Sequence, residues 1–164
     1  MATRVIQVGD IKIGGGHPMV LICGPCVIED EDTMKRAAEG ITAIAQKLHL
    51  PLIFKSSYLK DNRSSELTYQ GPGLEAGLKL LEWIRREFEV PVLSDVHCQH
   101  EVNMAAEVLD VIQIPAYLSM QTSLALAAGK TGKPINVKKG QFLEPADMQK
   151  VIQKIERTGN HNIM

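Results

Sequence analysis

The chain has 164 residues, 45% hydrophobic and 23% charged, which is enough to bury one sizeable core in a single domain over 1–164. Its 18 Lys and Arg against 19 Asp and Glu leave a formal net charge of −1, with no long basic run to mark a nucleic-acid or membrane-surface binder, so a small-molecule partner is expected. No apolar stretch nears the roughly 18 residues of a membrane span, Met1-Ala2-Thr3-Arg4 lacks a signal peptide's apolar core, and the 3 cysteines make no disulfide framework, so the expectation is a reduced, cytoplasmic protein.

Residues 4–8 and 11–13 flank Gly9-Asp10 and predict a small hairpin over about 4–13. After it, short runs rich in Val, Ile and Leu predict buried strands at 18–22, 51–55, 91–94, 108–114 and 134–137. Helical spacing of apolar residues predicts a helix over 32–49 through Met34, Ala37, Ile41, Ile44, Ala45 and Leu48, with Asp32 as N-cap. The same spacing returns at 73–88 through Leu74, Leu78, Leu81 and Ile84, and again at 99–108, 121–128 and 144–157. Strand and helix in alternation imply a parallel α/β sheet with right-handed crossovers.

Two folds accept this alternation, the doubly wound open sheet and the TIM-type (β/α)8 barrel. An open sheet gathers its chemistry at one switch point, whereas a barrel spreads it over the C-terminal ends of all its strands. Here the polar residues follow strand after strand: Gly24-Pro25-Cys26, then the stretch from Lys55 to Arg63, Asp95-Val96-His97, Gln113, and Lys138-Lys139. That distribution favours the barrel. Only the hairpin and about five βα units are present, and Asn162-Ile163-Met164 has the character of a sixth strand's opening, so the expectation is a partial barrel.

Lys55, Lys60, Arg63 and Lys138 would place four cations at one rim of a nearly neutral protein, which is the charge pattern of an anion pocket. Gly71-Pro72-Gly73 opens the second helix, whose unpaired N–H groups could add to it. A phosphorylated ligand, with a carboxylate as well, is the expectation. Cys23-Gly24-Pro25-Cys26 leaves two other readings open, a thioredoxin-like redox pair and a zinc site completed by His97, Cys98 or His100. Against the first, Ile22 rather than Trp precedes the motif, and residues 27–31 look like loop. Against the second, residues three apart at a strand end tend to project to opposite sides.

Gly24-Pro25-Cys26-Val27-Ile28-Glu29, Phe54-Lys55-Ser56-Ser57-Tyr58, Asn62-Arg63-Ser64-Ser65, Ser94-Asp95-Val96-His97, the run from Asp110 to Ala116 and the run from Asn136 to Phe142 resemble the 3-deoxy-D-manno-octulosonate 8-phosphate synthases. The related 3-deoxy-heptulosonate phosphate synthases share the Gly-Pro-Cys element but not Lys-Ser-Ser or Asn-Arg-Ser-Ser. The resemblance runs from near residue 5 to the end and implies a longer, complete barrel, a homo-oligomer (a tetramer in the family) and a role in lipopolysaccharide sugar synthesis. It further implies that phosphoenolpyruvate sits among Lys55, Ser57, Lys60, Gln113 and Lys138, with the phosphate of arabinose 5-phosphate near Asn62, Arg63 and Ser64. Asp95 and His97 would belong to the pocket wall. A Cys at position 26 marks the metal-dependent class, so Cys26 would be one ligand of a divalent Mn, Fe, Zn or similar ion, its co-ligands lying beyond residue 164.

The chain also departs from the family pattern. Leu118-Ser119-Met120-Gln121-Thr122-Ser123 has Met120 where an Arg normally reaches the sugar phosphate. Leu59, Asp61, Gln70, Cys98, Glu144 and Ala146 are further departures. Losing Arg or gaining Asp beside a phosphate weakens anion binding. A second expectation is therefore a catalytically silent fragment or pseudoenzyme that serves as a binding or assembly module.

Overall fold

A computed structural model describes residues 4–164; residues 1–3, where no signal-peptide core was expected, lie outside the described residues. The chain opens with an antiparallel hairpin, β1 (Ile6–Val8) and β2 (Ile11–Ile13), in which Val8 faces Ile11 across the turn. Gly9 takes φ 55°, the left-handed conformation that so tight a turn requires.

Five parallel strands follow, β3 (Leu21–Cys23), β4 (Leu52–Lys55), β5 (Val92–Asp95), β6 (Val111–Ile114) and β7 (Ile135–Val137). They lie side by side in chain order, β3-β4-β5-β6-β7. No reversal of order occurs among them, so the sheet has no switch point and forms an arc of a (β/α) barrel. Between the strands run α1 (Glu31–Lys47), α2 (Leu74–Glu87), α3 (Val102–Val108) and α4 (Thr122–Lys130), and α5 (Met148–Glu156) follows β7. Beyond α5, Asn162-Ile163-Met164 pairs parallel with β7: Ile135 N–H donates to the Asn162 carbonyl at 2.8 Å and Val137 N–H to the Met164 carbonyl at 2.9 Å. Buried Asn160 holds that segment in place, its amide donating to the Gly129 and Lys133 carbonyls at 3.2 and 2.8 Å.

The elements differ from the sequence expectations at their ends. The first strand begins later, at Leu21, because its ladder starts where Leu21 N–H meets the Pro51 carbonyl at 2.8 Å. The expected strand at 108–114 is shorter, since Val108 completes α3 and Asp110 turns the chain, its carboxylate accepting from Val92 N–H at 2.9 Å. The N-cap of α1 is Asp30, which accepts from Thr33 N–H at 2.7 Å, while Asp32 sits in the first turn beside Glu31 and complements the helix dipole. The helix expected from 99 starts at Val102, and the one expected from 144 begins as a 3₁₀ turn, Pro145–Asp147.

Two apolar layers line the sheet. The outer one joins Leu52, Phe54, Val92, Ile112, Ile114 and Ile135 to the helices through Met34, Leu81, Ile84, Val102, Ala125 and Ile155. Gly77 lets α2 close on the strand exit, for a Cβ there would lie 2.3 Å from Tyr58 Cβ. The inner layer, Ile53, Leu93 and Val111, packs on Val8 with Ile11 and Ile13, so the hairpin plugs the barrel floor. Alternation along each strand then sends the residue two positions on, namely Lys55, Asp95 and Gln113, to the same inner face.

Candidate functional site

Those three residues converge at the C-terminal end of the sheet, and Asp95 is their hub. Its Oδ1 accepts a short hydrogen bond from Ser57 Oγ, and its Oδ2 lies 3.2 Å from His97 Nε2. Lys55 Nζ stands 3.9 Å from one carboxylate oxygen and Lys60 Nζ 3.7 Å from the other. Burial by itself would raise the Asp95 pKa, but hydrogen bonds from His97 and Ser57 and the two ammonium groups outweigh it and hold the carboxyl below its usual range. Lys55 goes the other way. Its burial, aided by the Lys60 charge, overcomes the attraction of Asp95 and brings its pKa down to about 8. Lys55 Nζ also donates to Ser57 Oγ at 2.9 Å and to the Cys26 carbonyl at 3.2 Å.

The loop that carries Cys26 is built tightly against this cluster. Gly24 has no room for a side chain, since a Cβ would lie 1.9 Å from the Lys55 carbonyl oxygen. Ser56 Oγ donates to the Pro25 carbonyl at 2.9 Å, clamping the same loop. On the other flank Asn136 Nδ2 donates to Gln113 Oε1 at 2.8 Å, which leaves Gln113 Nε2 as the donor available to a ligand.

A cleft of about 190 Å³ opens over the hub, with Lys60, Asn62, Asp95, His97, Gln113 and Lys138 in its wall. Asp61, Gln141 and Tyr117 share that wall, and Tyr117 stacks on Phe142 at 6.5 Å to form an exposed aromatic rim. Lys55 and Ser57 are behind the wall, reaching the cleft through Asp95. Arg63 and Ser64 lie in an exposed loop outside the lining, and the half-buried Gly71 and Gly73 are outside it too, so the expected gathering of four cations is three in and around the cleft with the fourth on the loop. A larger cleft of about 490 Å³ lies at the opposite strand ends, beneath the hairpin. It gathers no cation cluster: Arg85, in its wall, is engaged by the Val108 carbonyl at 2.7 Å and by Asp110 at 3.8 Å. The smaller cleft, with its convergent charges, is the candidate site.

Neither alternative role for the cysteines finds support. Cys23 ends β3 and, among the described residues, no helix starts before Glu31, so the pair lacks the helix N-terminus that activates a redox thiol. Cys23, Cys26 and Cys98 are all free thiols, and among the described residues no three His, Cys, Asp or Glu side chains are arranged to hold a metal ion. Cys26 is exposed and is a single donor, which does not fit a divalent ion without further ligands. No helix among the described residues is long and apolar enough to cross a membrane.

Two residues of the site were not expected from sequence. Tyr58, fully buried, donates to Glu101 Oε2 at 2.8 Å and stands edge-on to the His97 ring at 5.6 Å. Burial and the neighbouring Glu101 carboxylate push its ionisation far above the ordinary phenol range, so it remains a donor. Glu101, four residues after His97, falls within the helix expected over 99–108 and carries no signal of its own; it stands at the N-cap of α3.

The DAHP synthetase I family matches residues 3–164. Proteins named 2-dehydro-3-deoxyphosphooctonate aldolase are similar over almost the whole chain. The one from Trichlorobacter lovleyi is 51% identical over 162 residues, covering 99% of this chain and 60% of the relative. Those from Geotalea daltonii and Citrifermentans bemidjiense are 54% and 53% identical, covering 98% and 99% of this chain and 59% of each relative. The chain thus spans about 60% of the length of the curated relatives it matches. With the family matched from residue 3 to residue 164, and a parallel sheet ordered as a barrel arc around polar strand ends, the chain belongs to the DAHP synthetase I family.

Proposed function

We propose that the chain supplies the phosphoenolpyruvate-binding part of a cytoplasmic, oligomeric enzyme that condenses phosphoenolpyruvate with D-arabinose 5-phosphate to give 3-deoxy-D-manno-octulosonate 8-phosphate and phosphate. The observation that carries this reading is the Lys55 and Lys60 pair held on Asp95, with Gln113 and Lys138 across the cleft. Two ammonium groups on one carboxylate leave a net positive centre, suited to the phosphate and carboxylate of phosphoenolpyruvate. Asn62 in the wall, with Arg63 and Ser64 in the loop beyond it, would meet the sugar phosphate.

The reaction joins C3 of the enol to the aldehyde carbon of the sugar. Water adds at C2, and the C2–O bond to phosphate breaks, so one water enters and one phosphate leaves. The chain's cations would neutralise charge on the two anionic reactants and hold the enol face toward the aldehyde. Lys55, behind the wall with its pKa down at about 8, would add positive charge to the cluster from there rather than touch the departing phosphate. A divalent metal is part of the reading through the resemblance alone. Cys26 would be one ligand of it and needs partners that the described residues do not bring together.

A binding module without turnover is favoured by one observation, Met120. Where an Arg is expected to reach the sugar phosphate, Met120 packs on the outer core, its carbonyl taken by Lys154 Nζ at 2.9 Å. One experiment separates the readings: the purified chain is assayed with phosphoenolpyruvate, arabinose 5-phosphate and Mn²⁺ for phosphate release and condensed product. Product formation abolished by Lys60→Ala supports the enzyme. Saturable phosphoenolpyruvate binding without product supports the module, and no binding at all rejects both.

A further inference from the structure

Glu101 lies outside the lining of the cleft, yet its carboxylate reaches both sides of the wall. Oε2 accepts from Tyr58 Oη at 2.8 Å and from the His97 backbone N–H at 2.9 Å, so a single oxygen ties the exit of β4 to the exit of β5. The same oxygen is 3.8 Å from His97 Nδ1, which is buried and has no hydrogen-bond partner. The other ring nitrogen, Nε2, meets Asp95 Oδ2 at 3.2 Å. The imidazole therefore lies between two carboxylates, bonded to Asp95 and only flanked by Glu101, with the Tyr58 ring set against it at 85°. Any drift of Glu101 releases three things together: the Tyr58 hydroxyl, the His97 peptide and the polar boundary on the Nδ1 side.

We propose that Glu101 is a positioning residue, which fixes the plane of the His97 ring and, through it, the Asp95 carboxylate that holds Lys55 and Lys60 for an anionic ligand. A side chain that only stabilised the fold would lower the melting temperature and leave the imidazole of the folded protein unchanged. One that positions the ring leaves a mark on the ring itself.

The test uses the 164-residue chain with Glu101→Ala, Glu101→Asp and Glu101→Gln, following the His97 ring nitrogens by long-range proton–nitrogen NMR and phosphoenolpyruvate binding by calorimetry. The His97 signals are assigned by their loss in His97→Gln. Ala and Asp are expected to shift both ring nitrogens and to weaken phosphoenolpyruvate binding about tenfold, the scale of one weakened charge-assisted hydrogen bond. Gln, whose amide oxygen can take the place of Oε2, is expected to preserve the wild-type signals. A folded Ala or Asp variant with wild-type ring signals overturns the proposal, as does a Gln variant disturbed as much as Ala. Should Ala fail to fold, Asp carries the same prediction at unchanged charge. The binding arm rests on the proposed function. If the wild-type chain does not bind phosphoenolpyruvate, that reading fails while the ring signals still decide the role of Glu101.

Discussion

Along β4, β5 and β6 the inward positions come in pairs two residues apart, Ile53 with Lys55, Leu93 with Asp95, and Val111 with Gln113, and the two members of each pair do opposite things. The lower members are fully buried and close the barrel floor on the hairpin. Of the upper members Asp95 and Gln113 are nearly as buried, at 3% and 6% exposed, and Lys55 partly so, yet they form a polar, charge-bearing cluster beneath a cleft. The floor is held by burial of apolar surface, which is indifferent to direction and to pH. The rim is held by mutual compensation, each charge tolerable because of its neighbours. Two residues along one strand thus separate what stabilises the fold from what can bind an anion.

The comparison breaks hardest at the floor. Leu93→Ala is expected to cost about 3 to 4 kcal/mol, because it leaves a cavity between the strands and the hairpin plug, and denaturant unfolding should show the same loss at every pH tested. Asp95→Asn removes the counter-charge of two Lys residues. Because their side chains are each 17% exposed, water relieves part of the penalty, and the expected loss near neutral pH is about 2 to 3 kcal/mol, below that of a fully buried pair. Its pH dependence sharpens the contrast. The folded Asp95 carboxyl titrates below its unfolded value, so its contribution is complete above about pH 4 and fades as the pH falls toward the folded value. The gap between wild type and Asp95→Asn should therefore narrow in acid, while the gap to Leu93→Ala should not.

The smallest effect is at Lys55. With its pKa at about 8, the ammonium is lost as pH rises through that value, and phosphoenolpyruvate affinity is expected to fall several-fold between pH 7 and 9 in titration calorimetry. Stability moves in the other direction. The unfolded chain holds this proton up to about pH 10.5, so relative to Lys55→Met the wild type should gain stability between about pH 8 and 10.5.

Period and punctuation made the alternation of strands and helices legible, and the polar residues after each strand pointed to the rim of a barrel. Boundaries were less legible where two signals overlapped. Residues 108–114 form one apolar run, but the Asp110 carboxylate meets Val92 N–H and splits it into a helix end and a strand. Asp30 and Asp32 both suit an N-cap, and only the backbone at Asp30, extended at φ −149°, lets its side chain reach Thr33. Within the site, strand positions were readable because the two-residue period fixes their face. The loop at Asn62, Arg63 and Ser64 has no such period, and Arg63 stands exposed outside the cleft lining.

By itself the sequence determined that a parallel α/β sheet would form and that cations would follow its strands, since both depend on local periodicity and on residue type. Only the tertiary structure decided that Asp95 is the hub, that Lys55 reaches the cleft through it, and that Glu101 and Tyr58 brace His97 from behind. Those contacts join residues up to 43 positions apart, set by how neighbouring strands register and how closely α2 can approach at Gly77.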